Sequence, residues 1–309
     1  MVLLDALAAS PTFFIIAVLV LGLLVGSFLN VVIYRVPVML EREWRTQCAE
    51  LTQAADGASA AAAIAAAPPT APSFNLIVPR SSCPKCKAPI TALQNIPVLS
   101  YLVLRGRCAH CRTPISARYP LIEALTGVLS GLVAWKFGFG LAALAALVLT
   151  WFLIGLTFID VDTQLLPDSM TLPLVWVGLA TSALLPTNLQ ATLPVSLHDS
   201  VIGAMAGYLS LWLIYHLFKL LTGKEGMGYG DFKLLAAIGA FLGWRMLLPT
   251  VLGAAAVGAV IGIVILSVKG KGRGVPIAFG PFLSASGWIM LMWGRELLEG
   301  YLGLFGLHT

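Results

Sequence analysis

The sequence predicts an all-α polytopic membrane protein with about eight transmembrane helices. Hydrophobic residues fill 59% of the 309 positions and charged residues only 11%, whereas about a quarter of the residues of a soluble domain are charged. The mean hydropathy is +0.91. Apolar runs close to the ~20 residues that a helix needs to cross a bilayer recur along the chain. These observations exclude a soluble globular fold.

Eight apolar runs are the predicted spans. They lie at about 12–34, 119–136, 139–159, 169–186, 199–221, 232–247, 249–268 and 277–294. The first run continues directly into "NVVIYRVP" and is too long to be only a cleaved signal peptide. The sixth is short, because only 13 residues run from Phe232 to Trp244 before a charge. Such a helix spans about 20 Å of an apolar core roughly 30 Å thick.

The basic residues lie mostly on one side of this arrangement. Ten of the 19 Lys and Arg lie between Arg35 and Arg118, and six more lie in or beside the loops after the fifth and seventh spans. With eight crossings these loops share one side, which the positive-inside rule makes cytoplasmic. Both termini are then external, on the opposite side of the membrane. Topology already explains the net charge of +5, and no nucleic-acid partner is expected.

The predicted spans divide the chain into three parts. Residues 1–36 hold the first transmembrane helix, residues 37–118 form a cytoplasmic region, and residues 119–309 form a seven-helix membrane domain. Within the cytoplasmic region, the Ala- and Pro-rich part at about 46–78 has no helical stripe of large apolar residues. We interpret it as a tolerated linker. The part at about 80–118 carries two pairs of cysteines.

The cysteine pairs form a metal-binding pattern. Cys83 and Cys86 make one pair, Cys108 and Cys111 the other, and the runs "KAPI" and "RTPI" that follow them indicate two related turns. Four thiolates on two knuckles are the tetrahedral set that zinc accepts. Disulfides are the alternative, but the cytoplasm is reducing. We predict a structural zinc site, because four protein ligands leave no position for water; His110 is interpreted as a solvated loop residue.

The first acidic segment of the membrane domain is "FIDVDTQLLPDSMTLP", where the third span meets the cytoplasm. It holds Asp160, Asp162 and Asp168. Ionisable groups in membrane segments are costly and usually functional. Two structural interpretations stay open at this point. Asp168 is placed to cap the fourth helix, and Asp162 is placed to be a solvated loop residue.

The second acidic segment is "GMGYGDFK", between the fifth and sixth spans. Asp231 follows glycines at 226, 228 and 230, which permit unusual backbone angles and the close approach of another chain. Since the sixth span is short, we expect Asp231 to lie somewhat below the cytoplasmic surface at the start of a helix. Topology puts both acidic segments on the same side of the bilayer.

Two carboxylates that meet in a partly dry site cannot both ionise easily, so they share a proton. One then acts as a base on water and the other as an acid toward a carbonyl, which is aspartyl-protease chemistry. Three other classes remain: an ion- or proton-coupled transporter, a metal-dependent phosphotransferase and a non-catalytic scaffold. A transporter does not explain why both acidic segments lie on one side.

Five motifs together resemble one known family. They are "GSFLNVVIYRVP" (26–37), the two Cys-x-x-Cys pairs, "IDVDTQLLPD", "KEGMGYGD" and "VPIAFGPFLSASG" (275–287). In this order they resemble the bacterial type 4 prepilin peptidases, which are membrane aspartyl proteases of the GxGD class. The resemblance covers nearly the whole chain outside roughly 40–78 and identifies 119–309 as the peptidase domain.

The resemblance implies roles for individual residues. It selects Asp160 and Asp231 as the catalytic pair, and it matches the four cysteines to a cytoplasmic zinc-binding region. Supporting positions in the active site are expected at Gly228, Gly230, Lys233, Asp162, Pro167 and Asp168.

The resemblance also implies substrates and a cofactor. Family members remove a short basic leader from type 4 prepilins and from pseudopilins of type 2 secretion at the cytoplasmic face of the bacterial inner membrane. Many also methylate the new N-terminal residue with S-adenosylmethionine. Glu41, Glu43, Glu225 or anionic lipid of the bilayer are candidates to meet the leader. For the methyl donor only Asn95 and Arg105 are suggested, with packing on the membrane surface as the alternative role.

Overall fold

The computed structural model describes residues 2–55, 74–185, 193, 195–269 and 278–304. Over these residues the protein is all-α, as predicted. The α-helices of the described residues are α1 Val2–Ala9, α2 Pro11–Ala55, α3 Leu99–Val103, α4 Arg118–Phe137, α5 Leu141–Thr163, α6 Asp168–Leu184, α7 Leu197–Thr222, α8 Tyr229–Leu242, α9 Leu247–Lys269 and α10 Gly280–Leu304. Two 3₁₀ turns, Leu93–Asn95 and Trp244–Met246, accompany them.

Helix α2 is much longer than the predicted first span. It covers 45 residues, Pro11–Ala55, or roughly 68 Å, so the first part of the linker predicted at 46–78 is helical instead. The end of the helix is rich in Ala, Leu, Glu and Gln, which are good helix formers. An ion pair of 2.6 Å between Glu41 and Arg45 links successive turns. The rest of the predicted linker lies largely outside the described residues.

Five helices of the described residues are long and apolar enough to cross a bilayer. These spans are Pro11–Thr52, Arg118–Phe137, Leu141–Thr163, Leu197–Thr222 and Trp244–Val264. The predicted spans 169–186, 232–247 and 277–294 correspond to α6, α8 and α10. Helices α6 and α8 are shorter than a usual crossing helix, and α10 carries charges in its second half. The total of about eight therefore stays a prediction.

The helices group into two compact units. Unit 1 comprises Met1–Gly22 and Thr126–Thr309, and unit 2 comprises Leu23–Leu125. Both acidic segments belong to unit 1, and both cysteine pairs belong to unit 2. The two kinds of candidate site therefore lie in different units.

Helix α8 lies at the centre of unit 1. Every residue from Phe232 to Leu242 is buried except Lys233. A helix that is apolar all round is expected in an interior, and α6, α7 and α10 pack around it. Glycines make this packing possible, since a Cβ added at Gly178 of α6 or Gly287 of α10 would lie 2.8 Å from an α8 side chain.

Helices α7 and α8 approach each other at their backbones. Gly203 of α7 faces Gly239 of α8, and a Cβ on either one would overlap the backbone of the other. Four residues further along α7, a Cβ at Gly207 would lie 2.7 Å from the carbonyl oxygen of Leu235. Glycines four apart allow this close packing of membrane helices. The contact fixes the position of the helix that carries Asp231.

In unit 2, two arginines of α2 hold the segment that precedes the first cysteine pair. Arg35 donates hydrogen bonds to the carbonyl oxygens of Asn75 at 2.7 Å and Pro79 at 2.5 Å. The guanidinium of Arg42 lies 4.3 Å from the centre of the Phe74 ring, a cation–π contact. The C-terminal half of α2 thereby anchors the beginning of the cysteine region.

Candidate functional site

Asp160 lies near the end of α5 and is 5% exposed. Its Oδ2 accepts a hydrogen bond of 2.9 Å from the backbone N–H of Gly280. Gly280 is the first residue of α10, where backbone N–H groups lack partners within the helix and attract negative charge. A Cβ at Gly280 would lie 2.5 Å from Oδ2. The start of α10 therefore orients this carboxylate, and only glycine permits the approach.

Asp231 is the third residue of α8 and is 7% exposed. Its backbone N–H donates to the carbonyl oxygen of Gly228 at 3.2 Å. Its Oδ1 is buried and has no hydrogen-bond partner within the described residues. Buried polar atoms are nearly always paired, so this oxygen has the capacity to accept one further hydrogen bond.

Asp160 and Asp231 are brought together because the start of α8, which carries Asp231, lies beside the start of α10, which contacts Asp160. Helix α8 touches α10 through Ile238 and Gly287, which lie seven residues beyond Asp231 and Gly280 respectively. Gly280 in turn bonds Asp160. The carboxyl groups of Asp160 and Asp231 accordingly interact electrostatically. The two acidic segments, distant in sequence, form one buried pair in unit 1.

This pair has the arrangement that proton-sharing chemistry needs. Two carboxyl groups close together and withheld from solvent are stabilised when one proton is shared between them. One group is then ready to accept a proton and the other to donate one. In the part of unit 1 that the structure describes, no other acidic side chain is buried.

The glycines before Asp231 matter because they lack a side chain, not because they adopt an unusual backbone angle. Neither Gly228 nor Gly230 has a positive φ, so the unusual backbone angles that glycine permits are not adopted at these two positions. A close approach within the chain occurs at Gly230, where an added Cβ would lie 2.6 Å from the Cβ of Leu166; the approach of a substrate chain stays a prediction. A Cβ at Gly228 would meet only the Oδ2 of Asp231, at 3.9 Å. The GxGD loop is thus packed against the loop that follows Asp160.

Lys233 and Asp168 link the two acidic segments. The Nζ of Lys233 donates to both carboxylate oxygens of Asp168, at 2.6 and 2.7 Å. The interpretation of Asp168 as a helix cap is wrong, because it is the first residue of α6 and Pro167 takes the capping position without a side-chain bond. Asp162 is exposed on the last turn of α5, while Pro167 is buried. The ion pair therefore joins the segments beside the buried aspartates.

Two residues of this site were not assigned from the sequence. Gly280 lies in "VPIAFGPFLSASG", and the proline that follows it suits the first turn of a helix. The Gly-Pro dipeptide indicates the start of a helix, where N–H groups are unpaired, and this was the sequence signal that could have identified Gly280. Leu166 lies between the acidic residues of the first segment, and its contact with Gly230 is tertiary and leaves no sequence signal.

The four cysteines of unit 2 converge on one point. Their Sγ atoms all lie within 4.8 Å of one another. The Sγ atoms of Cys83 and Cys111 are 3.7 Å apart, close to the edge of about 3.8 Å of a tetrahedron with Zn–S bonds of ~2.3 Å. A disulfide would need about 2.05 Å, and all four are free thiols. The donor set fits zinc.

The two knuckles repeat one backbone design. The N–H of Lys87 donates to the carbonyl oxygen of Cys83 at 2.9 Å, and the N–H of Arg112 donates to that of Cys108 at 3.0 Å. Lys87 and Arg112 share a left-handed backbone, with φ of 58° and 55°. The related turns predicted from "KAPI" and "RTPI" are confirmed.

The second knuckle carries an additional polar group. The Oγ1 of Thr113 lies 3.3 Å from the Sγ of Cys111. Hydrogen bonds from the hydroxyl and the backbone N–H of Thr113 lower the pKa of Cys111 to about 6. The thiolate of Cys111, which is the form that binds zinc, is therefore favoured at neutral pH, whereas desolvation and hydrogen bonds with the neighbouring thiols raise the pKa of Cys86 to about 11. The equivalent position in the first knuckle is Ala88.

The residues suggested for substrate and methyl donor are exposed. Asn95 ends a 3₁₀ turn and Arg105 lies in the loop after α3, and their contact with a methyl donor stays a prediction. Glu41, Glu43 and Glu225 are also exposed. Each of these acids already has a basic or amide partner in the structure, which a basic leader would have to displace.

Two family models match the chain, and they separate the cysteine cluster from the pair of aspartates. Residues 20–137 match the model of the bacterial peptidase A24 N-terminal domain, and residues 147–263 match that of the type IV leader peptidase family. The cysteines fall in the first match, and Asp160 and Asp231 fall in the second.

Curated relatives match over nearly their whole length, and several share one name. Proteins named prepilin leader peptidase/N-methyltransferase from Stutzerimonas stutzeri, Pseudomonas aeruginosa and Aeromonas hydrophila are 49%, 47% and 51% identical to this chain. The matches cover 96%, 99% and 98% of this chain and 97%, 99% and 99% of those proteins. No solved structure matches the chain.

Proposed function

Because the chain belongs to the type IV leader peptidase family, we propose that it is a bifunctional enzyme of the bacterial inner membrane. It cleaves the leader peptides of type 4 prepilins and type 2 secretion pseudopilins with two aspartates, and it N-methylates the new N-terminal residue. The observation that carries the peptidase mechanism is the buried pair of Asp160 and Asp231, which meet at helix ends.

The settings of the two aspartates suggest their roles. The N–H of Gly280 supports the ionised form of Asp160, so Asp160 accepts a proton from the attacking water. Asp231 keeps the shared proton and donates it to the scissile carbonyl oxygen, using the side of the carboxyl group where Oδ1 lacks a partner. The water oxygen bonds to the carbonyl carbon. On collapse the carbon–nitrogen bond breaks, the leaving nitrogen takes the proton from Asp160, and a hydroxyl of the intermediate returns a proton to Asp231 as the carbonyl reforms.

The substrate must present an extended backbone to this pair. A helical segment keeps its carbonyl groups in internal hydrogen bonds, so the cleavage point has to be unwound before attack. A prepilin places an apolar helix just after its leader, which puts the cleavage point at the membrane interface. Asp231 in the first turn of a short helix suits a reaction at that depth.

The zinc region has a structural role in this proposal. Cys83, Cys86, Cys108 and Cys111 would hold the ion, which closes the two knuckles into one folded unit. S-adenosylmethionine supplies an electrophilic methyl group when bound. Methylation therefore needs residues of this chain that hold the new amino group, and the aspartate pair is already committed to hydrolysis.

The proposed topology places both termini in the periplasm and the aspartate pair at the cytoplasmic face, within the peptidase domain of residues 119–309. The positive residues between Arg35 and Arg118 support this orientation. Helix 1–36 and the cytoplasmic region 37–118 precede that domain. A transporter would need acidic groups along a path through the bilayer, and the buried acids of unit 1 in the described residues are confined to the pair.

The deciding experiment incubates the purified protein with a candidate prepilin and S-adenosylmethionine and identifies the products by mass spectrometry. The wild type should cut after the leader and add one methyl group. Asp160→Asn and Asp231→Asn should each lose cleavage by at least about 10³-fold, since neither amide can exchange the shared proton. Retained cleavage in either variant, with normal expression, would overturn the two-aspartate mechanism.

A chelator provides the control for the metal-dependent alternative. If the aspartates held a divalent ion for phosphotransfer, removal of exchangeable Mg²⁺ and Mn²⁺ would abolish turnover. A two-aspartate peptidase should keep cutting. Loss of cleavage that added Mg²⁺ restores would favour the metal enzyme instead.

A further inference from the structure

The motif "GSFLNVVIYRVP" brings polar residues into an apolar helix, and the peptidase mechanism proposed above assigns them no role. Asn30 donates from Nδ2 to the carbonyl oxygens of Gly26 and Tyr119, both at 3.2 Å. The side chain of Ser27, one turn earlier, lies near the carboxylate of Glu123 on α4. Polar groups in membrane helices are costly and usually functional. In unit 2 one of them, Ser27, lies beside a buried acid.

Glu123 is buried in unit 2. Among the described residues only three acidic side chains are buried, namely Glu123 and the pair Asp160 and Asp231. The Oε2 of Glu123 accepts a hydrogen bond of 2.7 Å from the backbone N–H of Val98. Its charge is therefore balanced by dipoles of a hydroxyl and an amide, and these contacts include no basic side chain.

The residue that Glu123 holds has a strained backbone. Val98 has φ of 59° and ψ of −48°, a conformation that is an outlier for a β-branched residue. Such strain persists only where surrounding contacts impose it, and it clusters at functional sites. The residues after Val98 are apolar yet exposed, with Leu99, Leu102 and Val103 all more than half accessible. A buried acid thus lies beside an exposed apolar segment.

We propose that Glu123 binds the new α-ammonium group of the cleaved substrate and accepts its proton for methyl transfer. The proposal rests on the methyltransferase part of the function proposed above. A primary ammonium has three donors, which match the carboxylate of Glu123 and the oxygen of Ser27. The apolar side chains beside Val98 match the apolar helix that begins at the new N-terminus of the substrate.

The transfer balances with one co-reactant, a sulfonium methyl donor. The carboxylate of Glu123 takes one proton from the ammonium group, which frees the lone pair of the nitrogen. The nitrogen attacks the methyl carbon, and the carbon–sulfur bond breaks with its electron pair passing to sulfur. The product is a methylated secondary ammonium, and Glu123 returns its proton to solvent. Neither catalytic aspartate takes part, so cleavage and methylation should be separable.

The test replaces Glu123 with glutamine, whose side-chain oxygen still accepts the Val98 N–H. In Glu123→Gln, cleavage of the prepilin should be unchanged, while methylation measured on the same product should fall about 100-fold, the usual contribution of a general base. Glu296→Gln is the matched control, an acid-to-amide change in a helix of unit 1, where Glu296 pairs with Lys136. Both activities of that control should equal those of the wild type.

Binding gives a readout that does not depend on turnover. A synthetic mature peptide with a free N-terminus should bind the wild-type protein more tightly than the same peptide with an acetylated N-terminus. Glu123→Gln should lose that difference, and its affinity for S-adenosylmethionine should not change. Glu123→Asp, which keeps the charge, should keep the preference for the free amine.

The outcomes separate this inference from the function on which it rests. If the wild type cuts but never methylates, the methyltransferase function fails. If the wild type methylates and Glu123→Gln methylates equally well, only the role of Glu123 is overturned. Equal losses of cleavage and methylation in Glu123→Gln would also overturn it, because they would show that Glu123 maintains the fold. Equal binding of the free and acetylated peptides to the wild type would contradict it directly.

Discussion

The two aspartates of unit 1 are identical in chemistry and different in setting. Asp160 is held by the amide of Gly280, and Asp231 keeps one buried oxygen without a partner in the described residues. Asymmetry of this kind separates an acceptor of protons from a donor. The residues around the pair determine whether its geometry is kept, and they can be tested individually.

The glycines before Asp231 should differ in their tolerance of substitution. Gly230→Ala places a Cβ 2.6 Å from the Cβ of Leu166, which forces the first turn of α8 away from the loop that follows Asp160. Cleavage should fall by at least about 100-fold, because small displacements of reacting groups cost that much. Gly228→Ala is the matched control, since its nearest contact would be 3.9 Å. Rates from a cleavage assay that rank these variants in the reverse order would contradict the packing argument.

The ion pair between Lys233 and Asp168 should position the dyad and not act on the substrate. Lys233→Asp or Asp168→Lys alone opposes like charges and should reduce kcat about tenfold, with KM little changed. The double variant restores an attraction and should recover much of the loss. Steady-state kinetics of all four proteins measure this coupling. A double variant worse than both single ones would show that Lys233 has another role.

Sequence reasoning found the residues whose chemistry is unusual and missed those whose partners are distant. Asp160 and Asp231 were recognisable because acids are rare in apolar segments. The interpretation of Asp168 as a helix cap was wrong because only its neighbours in sequence were visible, and its partner Lys233 is 65 residues away. The contact of Leu166 with Gly230 depends on how two loops pack. Neither contact follows from local pattern or composition.

At the scale of elements, the apolar helices could be predicted from hydropathy, but the residues at which helices begin and end could not. Helix α2 continues far past its apolar part because Ala, Glu and Gln support a helix without contributing to a membrane span. Helix α8 was correctly expected to be short, and it has 14 residues. The close contact of α7 with α8 through Gly203 and Gly239 was not predicted, since glycine spacing alone does not identify the partner helix.

The knuckles should hold zinc in a pH-dependent way that Thr113 sets. Because Thr113 lowers the pKa of Cys111 to about 6 from an ordinary value of 9.0, the thiolate persists down to mildly acidic pH. Thr113→Val removes the hydroxyl and raises that pKa, so protons compete better with zinc. On acidification, zinc should leave the variant at a higher pH than it leaves the wild type.

Metal analysis across a pH series makes this comparison. His110→Ala should behave as the wild type, because His110 is exposed and is not one of the four ligands. A double replacement of Cys83 and Cys86 by serine should hold no zinc at any pH and should loosen the cysteine region to proteolysis. Wild-type protein purified without zinc would contradict the assignment of the site.

At the scale of the whole molecule, the number of crossings determines whether the two termini lie on the same side, and the distribution of basic residues determines which side that is. About eight crossings place both termini in the periplasm, although five helices of the described residues qualify by length and composition. Reporter fusions that are active only in the periplasm should therefore work at Thr309. The same reporter placed after Lys87 should be silent. Activity of the reporter after Lys87, together with silence at Thr309, would contradict this orientation.

The enclosure of α8 limits how anything can reach the reacting carbonyl. Other helices of unit 1 wall off its flanks, so a lipid-embedded rod cannot lie alongside it. The substrate therefore has to approach the first turn of α8, and it has to do so as an extended segment that is no longer helical. Compounds that imitate an intact hydrophobic helix should consequently be poor competitors, whereas short stretched mimics of the cleavage junction, tipped with a hydrated ketone, should block the enzyme.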